Sequence, residues 1–121
     1  MQAEERDAAY LWDMLQRACR IRDFVAGKTL DDYLGSQQLQ DATERCVEVI
    51  GEAARNVSKS FRQGHPEIPW RAIVGQRHVL AHDYDDVRPE IIYRVATLHV
   101  PELIRQLEPL IPPLPPHEPV A

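Results

Sequence analysis

Leu11, Met14, Leu15, Ala18, Ile21 and Val25 recur at steps of three and four, with Glu, Asp, Gln and Arg between them. That period predicts an amphipathic helix over residues 4–26. Gly27 is placed to end it. Thr29-Leu30-Asp31-Asp32 has the form of a capping box and predicts a short helical turn at 30–34. A second stripe, Leu39, Ala42, Cys46, Ile50, Ala53, Ala54 and Val57, predicts a long helix over 37–57. Gly51 lies inside it, where glycine costs roughly 1 kcal/mol against alanine. Close approach of a neighbouring helix is the expected compensation; the alternative is that the cost is simply tolerated.

Gly64, Pro66 and Pro69 punctuate the stretch 58–70, which reads as a loop or short turn. Pro69 is suited to the first turn of a third long helix, over 70–82. Residues 83–87 form a turn, from which Asp86 could cap a fourth helix starting near Arg88-Pro89. That helix would bury Ile91, Ile92, Val95, Leu98, Leu103, Ile104 and Leu107, and Pro101 inside it should kink or divide it. Four amphipathic helices with short connections predict an all-α antiparallel bundle. Six of the ten prolines fall in EPLIPPLPPHEPVA, which suits polyproline II rather than helix. The expected organisation is a helical domain at 1–108 and a flexible Pro-rich tail at 109–121.

Composition adds bounds. A chain of 121 residues, 44% apolar and 27% charged, has room for one hydrophobic core. Its net charge of −5 argues against non-specific coating of nucleic acid. It leaves room for a local cationic pocket, because most of the positive residues are Arg, suited to bidentate phosphate contact. MQAEERDAAY has no secretory apolar core, and no apolar run approaches membrane-spanning length. Cys19 and Cys46 sit in helical patterns as thiols rather than a disulfide pair, so a cytoplasmic location is expected.

The chemistry concentrates in RHVLAHDYDD, residues 77–86. Arg77 offers a fixed charge, His82 proton transfer near neutral pH, and Tyr84 a modifiable hydroxyl. Metal readings fit poorly. Asp83, Asp85 and Asp86 lack the EF-hand pattern, with Arg88 where its Gly should stand. His78 and His82 lack the Glu of a metalloprotease helix. A phosphohydrolase site at His82-Asp83 would need further ligands, for which only His65 and His99 offer themselves. On a straight helix Arg77 and His82 lie roughly 140° apart and about 7.5 Å along the axis. To serve one substrate, the helix must end or distort near His82, or Arg77 must curl round. Alternatively, two copies of the helix must meet at a dimer axis.

Arg77-x4-His82-x-Tyr84, with RDAAYLWDMLQRACRIRDFVAG, RCVEVIGEAARNVS and HPEIPWRAIVGQRHVLAHDYDDV in order, resembles the HepT-like toxins, minimal HEPN ribonucleases. The resemblance implies a homodimeric HEPN-like bundle of four to five helices, with no cofactor, acting as a metal-independent endoribonuclease on RNA. In that reading Arg77 binds the scissile phosphate and His82 moves protons to or from the ribose 2′-hydroxyl and leaving oxygen. His78 and Asp83 are possible supporting groups. It further implies a toxin–antitoxin pair in which an MntA-like nucleotidyltransferase adenylylates Tyr84. The family often has Asn where His78 stands, and Val-Asp where this chain has Val87-Arg88. The alternative is a non-catalytic, nucleotide-binding helical adaptor for such a nucleotidyltransferase.

Overall fold

The structure is a computed structural model that describes residues 3–82 and 87–111, of which residues 3–4 and 81–82 are described only as helical backbone. All the regular elements among them are helical: α1 (Ala3–Val25), α2 (Leu30–Leu34), α3 (Gln37–Asn56), α4 (Lys59–Gly64), α5 (Trp70–His82), α6 (Pro89–Arg94) and α7 (Val100–Leu107). A π-helical turn, Val95–His99, joins α6 to α7, and a 3₁₀ turn, Glu108–Leu110, comes after α7. The all-α bundle expected from periodicity is what forms.

Local chemistry sets the boundaries. Gly27 leaves α1 at φ +72°, where a side chain would be strained. The capping box is complete: Asp32 N–H donates to Thr29 Oγ1 at 3.1 Å, and Thr29 N–H to Asp32 Oδ2 at 2.9 Å. Ser36 caps α3 through Leu39 N–H. Pro69 stands one position before α5, its carbonyl accepting the first bond from Ile73 N–H. Arg88 occupies the N-cap of α6, without a side-chain cap, and Pro89 stands next, in its first turn. The expected cap, Asp86, lies outside the described residues.

Long-range bonds set the directions of the rods. Asp7, buried near the start of α1, accepts from Ser58 N–H (2.8 Å) and Oγ–H (2.6 Å) just beyond the end of α3. Tyr93 on α6 donates its hydroxyl to Lys28 O, just past the end of α1. α1 is therefore antiparallel both to α3 and to the α6–α7 rod. Between them lie Leu11, Met14, Ala18 and Ile21 of α1, Cys46, Ile50 and Ala54 of α3, and Leu103, Ile104 and Leu107 of α7. Cys46 is buried and Cys19 half-buried, both free thiols.

The last rod departs from the periodic expectation. Pro101 has no N–H to give Thr97 O, and its ring crowds that carbonyl. The chain winds wider instead of breaking: Val100 N–H reaches back to Val95 O, and Thr97 Oγ1 donates to Tyr93 O at 2.9 Å. The wider turn rotates the downstream face of the rod. Ile92, Ala96 and Val100, spaced by four, face the core, whereas Ile91 and Leu98 are 46% and 61% exposed. Those two were expected in the core, and Ala96 and Val100 take that role.

Candidate functional site

Arg77 sits on α5 where it crosses α3 at Gly51. A Cβ at Gly51 would overlap Arg77 Cβ and lie 2.9 Å from Arg77 Cγ and 3.0 Å from Ile73 O. The bare backbone of Gly51 is thus the seat for the Arg77 stem, which is the close approach expected of that glycine. The guanidinium then reaches the next residue of α3, with Nη2 3.1 Å from Glu52 Oε2. The contact is ionic rather than a well-aligned hydrogen bond, since neither Glu52 Oε2 nor Arg77 Nε has a hydrogen-bond partner among the described residues.

Glu52 is itself gathered by its own helix. Arg55 Nη2 donates to its Oε1 at 2.9 Å, and Asn56 Nδ2 donates to its backbone carbonyl at 3.0 Å. The Arg55 hydrogen bond, the charges of Arg55 and Arg77, and a contact from Asn56 hold the Glu52 carboxyl below the usual range against partial desolvation. Glu52 is ionised at neutral pH.

These groups wall a cleft of about 280 Å³. α1 contributes Tyr10 and Asp13, α3 contributes Arg45, Glu48, Glu52 and Asn56, and α5 contributes Arg77. Arg45 is loosely paired with Glu48 at 3.5 Å. Its walls carry three acidic side chains, Asp13, Glu48 and Glu52, and two basic ones, Arg45 and Arg77, so the cleft is polar without being a plain cationic trough.

Of the other residues expected at the site, His78 is exposed on α5 and does not line this cleft. α5 is described as far as His82, so the Arg77–His82 spacing lies within one helix. The His82 side chain, Asp83 and Tyr84 lie outside the described residues, as do residues 112–121 of the tail. Among the described residues no group of three or more His, Cys, Asp or Glu side chains could hold a metal ion. Glu52 was not singled out from the sequence. The mid-helix glycine hinted at a helix crossing, but Glu52, about 100° round the helix from it, is identified only by its contact with Arg77.

A second depression, of about 420 Å³, is apolar and lies between α3, α5 and the last rod, lined by Val47, Ile50, Ile73, Val95, Val100 and Leu103 among others. No described helix is long and apolar enough to cross a membrane.

Comparison with known proteins places the chain in a class of ribonucleases. A Methanocaldococcus jannaschii protein named as a candidate RNase is 35% identical over 103 residues, 85% of either chain. One from Caldanaerobacter subterraneus, also named as a candidate RNase, is 34% identical over 102 residues, 84% of this chain and 91% of the relative. A Thermococcus cleftensis protein named as a candidate ribonuclease HepT is 33% identical over 101 residues, covering 84% of this chain and 92% of that one. No solved structure gives a significant match. The family model described as ribonuclease HepT-like matches residues 14–110, and the chain belongs to that family.

Proposed function

We propose that this chain is the ribonuclease toxin of a toxin–antitoxin pair, a homodimeric, metal-independent endoribonuclease. The observation that carries the proposal is the seating of Arg77: its stem is locked over Gly51 and its guanidinium is delivered to a polar cleft, five residues before His82 on the same helix. A guanidinium placed against a phosphodiester stabilises charge that develops on the phosphoryl oxygens. An imidazole within reach takes the proton of the ribose 2′-hydroxyl or returns one to the leaving oxygen. Such a reaction needs RNA, since DNA has no 2′-hydroxyl. Both roles are filled by residues of the chain, with tRNA or mRNA as substrate.

The same motif supplies a means of control. An MntA-like nucleotidyltransferase antitoxin would transfer adenylyl groups to Tyr84, two residues from His82. The added phosphate would engage Arg77 and bring negative charge to the place meant for RNA.

Cleavage of total RNA or tRNA in EDTA tests the enzymatic core. Wild type should cleave and His82→Ala should not; equal cleavage by both removes the role given to His82.

Homodimerisation is supported by the exposed Ile91 and Leu98, seven residues apart and so on one side of the rod, with Val95 between them opening into the apolar depression. Leu98→Glu should turn the dimer into a monomer by light scattering, with little change in helicity because Leu98 packs little within its own chain. A dimer unaffected by the charge places the interface elsewhere.

The carboxylates of Asp13, Glu48 and Glu52 around Arg77 favour one other reading, a non-catalytic adaptor that presents nucleotides to the transferase. Harmless expression of the intact chain would favour it. Toxicity abolished by Arg77→Ala would favour the nuclease.

A further inference from the structure

We infer that Glu52 is a positioning residue for Arg77, holding the guanidinium so that its remaining donors face the cleft; the inference rests on the phosphate-binding role proposed for Arg77. An arginine side chain has four rotatable bonds, and a phosphate-binding arginine must present its fork in one orientation. On α5 that orientation is constrained at two points. The root is constrained by the α3 backbone at Gly51, against which Cβ and Cγ lie. The tip is constrained by Glu52 Oε2 at 3.1 Å from Nη2. Gly51 and Glu52 are consecutive, so a single turn of α3 carries both the seat and the tether.

The tether suits this task because Glu52 does not depend on Arg77. Its other oxygen is bonded to Arg55 at 2.9 Å, so the carboxylate keeps a second anchor when Arg77 shifts toward a substrate. Among the described residues, only Nη2 of Arg77 is engaged. Nη1, with two N–H donors, has no partner among the described residues and is available to an anion in the cleft.

Glu52 also has a cost that separates this role from others. A carboxylate next to a phosphate-binding arginine repels the phosphate, so it weakens substrate binding in the ground state. Its benefit must therefore appear in the chemical step. Neutralising it by Glu52→Gln should slow the step while leaving binding equal or tighter, a combination that general loss of structure does not produce.

The experiment measures RNA cleavage under steady-state conditions by wild type, Glu52→Gln and Arg77→Ala, with thermal melts of each. For Glu52→Gln we expect kcat to fall between about 10- and 100-fold, the scale of a misoriented catalytic group, with KM unchanged or lower and an unchanged melting midpoint. A kcat within about twofold of wild type, while Arg77→Ala is inactive, overturns the inference and leaves the role of Arg77 standing. So does a loss that lies wholly in a raised KM. If Arg77→Ala cleaves as well as wild type, the nuclease assignment of Arg77 fails first, and the inference with it. Should Glu52→Gln melt early, Glu52→Asp tests the tether alone: it keeps the charge and withdraws it by one methylene, so kcat should fall with KM unchanged, and a kcat within about twofold of wild type overturns the inference.

Discussion

Arg77→Ala should reduce RNA cleavage by on the order of 10²–10³-fold, the loss typical when one donor to a transition-state oxyanion is removed. The side chain is only 25% exposed, but its stem lies along bare backbone at Gly51 rather than filling an apolar cavity, so the truncated protein should stay folded. Loss of activity with unchanged far-ultraviolet circular dichroism is therefore the expected pairing. Arg77→Lys should recover little. The ammonium is a point charge that cannot hold Glu52 with one amino group and a phosphate oxygen with another in a planar fork. Activity close to wild type in Arg77→Ala would show that the cleft on this face is not where phosphate is bound.

Gly51→Ala should destabilise the fold, although alanine in mid-helix would ordinarily add roughly 1 kcal/mol of stability over glycine. The new Cβ overlaps Arg77 Cβ and comes within 3.0 Å of Ile73 O. These are atoms fixed to the α5 backbone and cannot swing away as the end of a long side chain would. α3 and α5 must separate, and overpacking of this kind costs about 1–3 kcal/mol. Gly51→Val, with two more carbons in the same place, should lose more. Urea denaturation with a constant slope measures the difference. The separation also carries the Arg77 stem away from its seat, so the folded fraction should cleave RNA more slowly as well. A Gly51→Ala protein as stable as wild type would mean that α5 does not cross α3 at this residue.

How far the sequence could be read differs between fold and site. The face of α1 was legible almost residue by residue: Leu11, Met14, Ala18, Ile21 and Val25 are all buried, and Leu15 is partly so. The capping box at Thr29 was legible for the same reason, since a cap depends on residues three apart. The helix crossing was legible in kind, because a glycine in the middle of α3 needs a reason. Its partner was not: nothing in the spacing of Gly51 and Arg77 says that they meet. In the last rod Leu103, Ile104 and Leu107, beyond Pro101, are buried as expected, whereas Ile91 and Leu98, before it, are exposed. One wide turn before the proline keeps Val100 in line with Ile92 and Ala96 and buries it, and a fixed 3.6-residue period cannot anticipate an inserted π turn.

By itself the sequence determined the helices, their caps, the all-α class and the spacing of Arg77, His82 and Tyr84 along the chain, because each of these is settled within a turn or two of chain. Only the tertiary structure decided that Asp7 ties the start of α1 to Ser58, and that Arg77 lies on Gly51 and points at Glu52. Those pairings depend on the axial register of one rod against another. Register comes from how whole faces interlock, which no local pattern of residues records.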